Sequence, residues 1–451
     1  MNKKNKKVII IGAGLVGSLW ALYLSRRGYQ VSVYEKRPDL RNTDISSGRS
    51  INLALSDRGW KALAGAGMEE KIRKVSIPMY GRRIHHENDS IDFQAYGMEN
   101  QAIWSVSRGG LNAALMDAAE TAGASIFFNH KCVGLDADKR RVFFANGFEK
   151  SADLIFGADG AFSNVRHCMI EQGALQENLV YLDHGYKELS IPADTGNQWR
   201  LDKNALHIWP RRSFMLIALA NLDGSFTSTL FAPNEGDNSL ASLDAGMDVE
   251  AFFKENFFDA FKLMPSLIED FKQNPSSRLA TVYCQPWTWK HRFCLIGDAA
   301  HGIVPFYGQG MNAGFEDCTL LAEMMDKYEE NWPLIFENYD KTRKINADAI
   351  ARLAVQNFVE MRDRVADHSF LMRKKIENGL QRLFPDEYMP LYSLVTFSQR
   401  PYAEALAIGR KEEQFFKQLV ENQKLPEDLS DFDLTNILQQ WRQFKSKSGN
   451  N

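Results

Sequence analysis

Six residues near the N-terminus constrain this chain more than any other feature: Gly12-Ala13-Gly14-Leu15-Val16-Gly17. The apolar run Val8-Ile9-Ile10-Ile11 precedes them and predicts a strand. The residues after them predict a helix from about Val16 to Arg27, and Val31-Ser32-Val33-Tyr34 predicts a second strand. Glycines at this spacing, between a strand and a helix, let the backbone turn tightly and approach a pyrophosphate. The phosphate then sits at the positive end of the helix dipole. Glu35 stands at the end of the second strand, 18 residues past Gly17, where its carboxylate can accept from an adenosine ribose. A carboxylate there repels a 2′-phosphate, so the unit suits FAD or NAD and disfavours NADP. The basic start (residues 1–7) and the apolar stretch Val8–Leu24 also outline a signal peptide or a membrane span. The three glycines and the absence of a small-residue cleavage site argue for the strand-turn-helix instead. No other stretch reaches the ~18 apolar residues that a span needs.

Two later segments repeat the theme of an apolar strand stopping at an aspartate. One is Asp153-Leu154-Ile155-Phe156-Gly157-Ala158-Asp159-Gly160, with Ser163 and Arg166 on the helix that follows. By itself it reads equally as a turn. The other is Phe293-Cys294-Leu295-Ile296-Gly297-Asp298-Ala299-Ala300-His301, followed by Pro305-Phe306-Tyr307-Gly308-Gln309-Gly310-Met311-Asn312-Ala313-Gly314. A helical run is expected from Gly314 to about Glu330. The unpaired N–H groups at its start suit an anionic ring better than a second phosphate.

The three segments in this order resemble the FAD-dependent aromatic hydroxylases of the para-hydroxybenzoate hydroxylase type. The resemblance implies an α/β (α+β) chain. A glutathione-reductase-like FAD-binding domain is joined by an inserted antiparallel-sheet substrate domain and a helical C-terminal region. It implies that Gly12, Gly14 and Gly17 hold the FAD pyrophosphate, Glu35 the adenosine ribose and Asp298 the ribityl chain. Met311 and Asn312 offer backbone N–H groups to the flavin, and Arg108 lies near the pyrophosphate. Val16, Tyr34, Lys36, Ala54, Asp159 and Gly310 are expected to border the same cofactor.

The expected division follows. Residues 1–74, 101–180 and 286–331 form a discontinuous FAD-binding domain, 75–100 and 181–285 a substrate-binding sheet domain, and 332–451 a helical C-terminal domain. The short apolar stretches Leu206–Pro210, Phe214–Leu219 and Thr227–Phe231 read as antiparallel strands. From Trp332 onward, apolar residues at helical spacing, such as Ile335, Tyr339, Ile350, Leu353 and Phe358, read as helix cores.

Four further stretches narrow the resemblance to the kynurenine 3-monooxygenase family: Ser50–Ser56, Pro305–Cys318, Asn357–Arg362, and Pro390–Tyr392 with Val395–Ser398. The family implies NADPH-dependent and O2-dependent hydroxylation of L-kynurenine to 3-hydroxy-L-kynurenine, a step of tryptophan degradation toward quinolinate and NAD. A kynurenine site needs a cation for the α-carboxylate and an apolar slot for the ring. Arg82 matches the family arginine, whose guanidinium fork fits two carboxylate oxygens. Tyr96 matches the tyrosine sharing that carboxylate, Asn357 and Tyr392 the contacts at the amino-acid end, and Phe306 and Met361 part of the apolar wall. Without the resemblance, Arg82 and Arg83 read as a solvated basic face. Tyr307 stands where family members differ, and its role is open. His301 reads as a structural residue behind the Asp298 turn, and no side chain is expected to act as acid, base or nucleophile, because the flavin carries the chemistry.

Composition describes an ordinary globular chain. The 451 residues carry 54 basic and 57 acidic side chains, a net charge of −3, so no bulk basic field exists for nucleic acid. The five cysteines are scattered, which speaks against a disulfide framework or a zinc site and for a reducing cytoplasm. The expectation is a soluble cytoplasmic chain without a metal or membrane anchor, with a homo-oligomer left open. A hydroxylase for another small aromatic, a flavin dehydrogenase that does not use oxygen, and a flavin-bound redox sensor remain alternatives.

Overall fold

The computed structural model describes residues 6–42, 52–361, 368–422 and 433–447. Ser50, Ile51 and Arg362, quoted above within motifs, lie outside the described residues.

A six-stranded sheet gathers the three motif segments. Its order is Thr288–Trp289, Phe293–Leu295, Leu154–Gly157, Lys7–Ile11, Gln30–Tyr34 and Ser125–Phe127. All pairings are parallel except that of Thr288–Trp289. Ile10 sits opposite both Val33 and Phe156, and Phe156 opposite Cys294. Near-continuous apolar runs belong in strands covered on both faces. One cover is the helix Leu15–Arg26, with Leu19, Trp20, Leu22 and Leu24 fully buried. Another is the helix Gly310–Lys327.

That second helix starts four residues before the expected Gly314. Gly314, expected at the start of the helix, lies inside it, where it packs closely. A Cβ on it would lie 2.5 Å from Val16 Cγ2. The whole Met311–Gly314 stretch is therefore helical.

The second large sheet has seven strands in the order Ser277–Gln285, Gln176–Ile191, Phe226–Pro233, Phe214–Ala220, Ala205–Arg211, Gly81–His85 and Ile91–Ala95. The predicted stretches 206–210, 214–219 and 227–231 are three of them. Their pairing is antiparallel, but Ala205–Arg211 meets Gly81–His85 in parallel. Ser76–Met79, close in sequence to Gly81–His85, pairs instead with Ile103–Ser107, which also holds Asn52–Leu55. The chain thus crosses from one sheet to the other at Tyr80, two residues before Arg82.

Beyond Trp332 the described chain is helical: Trp332–Val359, His368–Leu383, Leu391–Thr396, Tyr402–Asn422 and Leu434–Lys447. Ile335, Tyr339, Ile350, Leu353 and Phe358 are all buried. The last helices share a core of their own around Ile376, Phe415, Phe416 and Trp441.

Candidate functional site

The glycine turn is built for a close approach. Gly12 adopts φ +103°, and a Cβ on it would meet the Ala158 carbonyl oxygen at 2.5 Å. A Cβ on Gly17 would lie 2.0 Å from the Gly12 oxygen, so helix and strand touch there. Gly14 differs, with nothing within 4 Å of where its Cβ would stand. It caps the helix Leu15–Arg26 with no side-chain hydrogen bond and no acidic residue in the first turn. The positive helix end therefore faces open space, the environment a pyrophosphate requires.

Glu35 is buried beside this turn. Its Oε2 accepts from the Ala13 N–H at 2.9 Å, and its Oε1 from Arg37 Nε at 2.8 Å. Burial pushes its pKa up, but the Arg37 hydrogen bonds and charge outweigh that and hold it below the usual carboxylate range. It stays ionised and able to accept. Tyr34 acts through its backbone: its carbonyl accepts from the Gly12 N–H, while its buried ring stacks on the exposed Phe127. Lys36 is exposed. Asp159 spends its carboxylate on the next helix, accepting from Ser163 Oγ and from the Asn164 and Val165 N–H groups. Arg108 is exposed at the start of the helix Arg108–Thr121, which Asn112 ties to the Ala13 carbonyl.

The third segment forms the other end of the cradle. Gly297 turns with φ +60°, leaving Asp298 exposed as the first residue of a short helix, Asp298–His301. A Cβ on Gly310 would meet nothing nearer than 3.8 Å, and Gln309 caps that helix without a side-chain bond. Its first-turn N–H groups are open to a ligand. Asn312 uses its side chain for support: Oδ1 accepts from the Ser56 N–H, and Nδ2 donates to Ala54 and Gly308 carbonyls, both at 2.8 Å. Two uncapped helix ends, two open glycines and an exposed aspartate fit a dinucleotide ending in an electron-rich ring.

A cavity of about 500 Å³ lies where the seven-stranded sheet meets the C-terminal helices. Arg82, Tyr96, Tyr307, Asn357, Met361 and Tyr392 line it. Arg82 projects from the strand Gly81–His85, with its guanidinium 5.4 Å from the Tyr96 ring centre and 5.0 Å from that of Tyr392. The three tyrosines form one stack: Tyr96 on Tyr392 at 5.3 Å, and Tyr392 on Tyr307 at 5.6 Å. Burial disfavours the Arg82 charge, but the Tyr392 and Tyr96 hydroxyls outweigh it, leaving a fixed cation. The buried Tyr96 hydroxyl lacks a well-formed hydrogen bond within the protein. A cation and an unsatisfied hydroxyl side by side suit a ligand carboxylate.

Of the expected wall residues, Met361 lines the cavity and Phe306 does not. The Phe306 ring packs between Phe358, at 4.2 Å, and Phe231, at 4.8 Å. Its neighbour Tyr307 takes the cavity side of the turn Pro305–Tyr307. Asn357 Nδ2 donates to the Phe306 carbonyl at 2.7 Å and so holds that turn. Sequence reasoning also missed Arg373 and Glu377, which line the cavity from the helix His368–Leu383. Their i,i+4 spacing reads as a solvated surface pair, yet Glu377 is fully buried.

A family model described as an FAD binding domain matches residues 5–222 and 250–354. Kynurenine 3-monooxygenase of Flavobacterium psychrophilum is 50% identical, over 93% of this chain and 94% of that one. The Flavobacterium johnsoniae protein of the same name is 51% identical, covering 89% and 91%. The chain belongs to the kynurenine 3-monooxygenase family. FAD is therefore its cofactor. The Dictyostelium discoideum member is 44% identical over 92% of this chain and 93% of its own. Among solved structures, a tetrameric 2-methyl-3-hydroxypyridine-5-carboxylic acid oxygenase shares the fold, with TM-score 0.66 and 21% identity over 84% of this chain and 98% of that one. Among the described residues no helix is long and apolar enough to cross a membrane.

Proposed function

We propose that the chain hydroxylates L-kynurenine at ring carbon 3, consuming NADPH and O2 and releasing 3-hydroxy-L-kynurenine, NADP and water. The observation that carries this reading is the fixed Arg82 cation beside the stacked Tyr96 and Tyr392, at the wall of a cavity of about 500 Å³. Family membership supports it.

Bound FAD supplies the chemistry, accepting hydride from NADPH and passing one oxygen atom from O2 to the ring. The side chains bind, orient and exclude water. Arg82 takes the substrate α-carboxylate, and the Tyr96 hydroxyl donates to the same group. Asn357 keeps its Oδ1 for the amino-acid end while its Nδ2 fixes the turn. Tyr307, Met361 and Leu353 keep the ring end apolar, so that water does not divert the reduced cofactor. The aniline amine already activates its ortho carbon, and no side-chain base is needed for the attack. NADPH meets no second glycine motif here and acts as a transient reductant. The five cysteines, all buried and unpaired, fit a reducing cytoplasm, where we place the enzyme.

The test is purified FAD-loaded protein with NADPH and either L-kynurenine, para-hydroxybenzoate or no aromatic. The expected result is fast NADPH oxidation and stoichiometric O2 uptake with L-kynurenine alone. Turnover without O2 dependence points to a dehydrogenase, no turnover to a sensor, and preference for the benzoate to another hydroxylase. Any of the three overturns the reading.

A further inference from the structure

Beneath the flavin end of the cradle lies a cluster of ionisable side chains that touches neither the cavity nor the open face of the glycine turn. Asp317 is its centre and is completely buried. Its Oδ2 accepts from the Gly297 N–H at 2.7 Å and from His301 Nε2 at 2.7 Å. Its Oδ1 accepts from Arg343 Nε at 2.6 Å. Arg343 also donates to the Ala313 carbonyl, at 2.8 Å, and pairs with Glu316 at 2.7 Å. Glu316 pairs in turn with Arg58, whose guanidinium lies 3.9 Å from the Tyr402 ring centre. The Tyr402 hydroxyl closes the circuit by donating to Gln309 Oε1 at 2.9 Å.

Stability does not explain this arrangement. Taking charged groups out of water costs several kcal/mol each, and well-packed apolar replacements are often neutral or better. The cluster's distinctive property is where its bonds end. One terminates on Gly297, directly before Asp298. Two others terminate on Ala313 and Gln309, at either side of the first turn of the helix Gly310–Lys327. These are the two backbone pieces that the family resemblance assigns to the ribityl chain and the flavin ring. They come from separate segments, and among the described residues Asp317 is the single side chain bonded both to the Gly297 turn and to the arginine that holds the helix. Burial would push the Asp317 pKa up, but His301 and Arg343 hold it at about 2. All three bonds to it are therefore made to a full carboxylate, the strong kind.

We propose that Asp317, acting through Gly297 and through Arg343, is the positioning residue that sets the Asp298 turn and the Gly310 helix end at the spacing the flavin requires. Arg343, Arg58 and Tyr402 extend the same scaffold. His301 is then a partner of Asp317 rather than a base. The inference rests on FAD occupying the cradle, which the wild-type control tests separately.

The experiment compares wild type, Asp317→Asn and Tyr402→Phe. FAD is stripped from each, and rebinding is followed by flavin fluorescence, with apoprotein melting measured in parallel. Failure of the wild type to rebind FAD would refute the cofactor reading itself. Asp317→Asn keeps the shape but replaces one carboxylate oxygen by a donor facing other donors. The expected result is FAD binding weakened about tenfold to a hundredfold, as when hydrogen bonds to a charged group are lost. The visible flavin band should change shape, and kcat should fall with the kynurenine KM within about twofold. Tyr402→Phe removes one neutral hydrogen bond and should weaken FAD by roughly fivefold. A folded Asp317→Asn protein with wild-type FAD affinity and flavin spectrum overturns the proposal, even if its melting temperature drops. If Asp317→Asn does not fold, Tyr402→Phe decides alone, and unchanged FAD affinity in it overturns the proposal.

Discussion

Gly14 and Gly17 belong to one turn and do different work. Gly17 lets helix and strand touch, whereas a Cβ on Gly14 would face open space. Gly14→Ala should leave apoprotein melting within about 1 kcal/mol of wild type, since its φ of −72° suits alanine. FAD affinity should nonetheless fall, because a methyl group then occupies the pyrophosphate path. Gly17→Ala should destabilise the apoprotein itself, by several kcal/mol on the scale of overpacking in tight cores. Thermal melting with and without FAD separates the two. At the other end of the site, Arg82→Ala removes the cation facing the substrate carboxylate. Losing one partner of a desolvated charge pair costs roughly 2–5 kcal/mol, so the kynurenine KM should rise by about one and a half to three and a half orders of magnitude with FAD still bound. An unchanged KM would remove Arg82 from the substrate site. The glycine spacing was legible because backbone sterics act on neighbours in sequence. The choice between Phe306 and Tyr307 was not, because which of two adjacent rings faces a cavity depends on Phe231 and Phe358, far away in the chain.

Single elements show where local rules yield to packing. Gly314 sits inside a helix because Val16 leaves no room for a side chain. Asn357, a poor helix former, sits near the end of the helix Trp332–Val359 because the carbonyl of Phe306 needs its amide. Asn357→Leu keeps the bulk and leaves that buried carbonyl without its donor. An unsatisfied buried acceptor costs about 1–3 kcal/mol, which denaturant unfolding would register as a lower midpoint. The turn carrying Tyr307 should loosen as well, raising the kynurenine KM. A variant with a lowered midpoint and a normal KM would show that Asn357 serves the fold alone.

Across the whole molecule, two buried titrating groups set opposite limits on stability. His207 bonds His85 and the Asp202 carbonyl, and burial pushes its pKa down from 6.5 to about 4. The unfolded chain therefore takes up the proton first, and stability falls as pH drops from 6.5 toward 4, by up to roughly 3 kcal/mol. Glu412 is the mirror case. Burial and the neighbouring Glu377 carboxylate, only partly offset by Arg373, push it up from 4.5 to about 7. The folded chain holds that proton longer, so stability declines as pH rises through the window from 4.5 to 7. Between pH 4.5 and 6.5 the two slopes oppose each other and largely cancel, so unfolding midpoints measured from pH 4 to pH 9 should rise more steeply with pH in Glu412→Gln than in wild type. A slope unchanged in that variant would assign the titration to another group.

The pairing of strands is the clearest division between what sequence settles and what it does not. Each of the three cofactor segments announces itself by short-range chemistry: apolar strand, abrupt turn, glycine or aspartate. Those signals identified the cofactor and the family, since a pyrophosphate and a flavin demand particular backbone within a few residues. The same chain order carries no direct sign that Ile10 faces Phe156, or that Tyr80 carries the chain between two sheets. The substrate cavity is more hidden still. Arg82 comes from a strand, Tyr307 from a turn and Tyr392 from a C-terminal helix, and in sequence each reads as an ordinary surface or half-buried residue. Asp317 and Arg343 likewise look like two charges on two helices. Only tertiary packing made one buried pair of them, because the worth of a charge depends on the water excluded around it. That exclusion belongs to the folded whole.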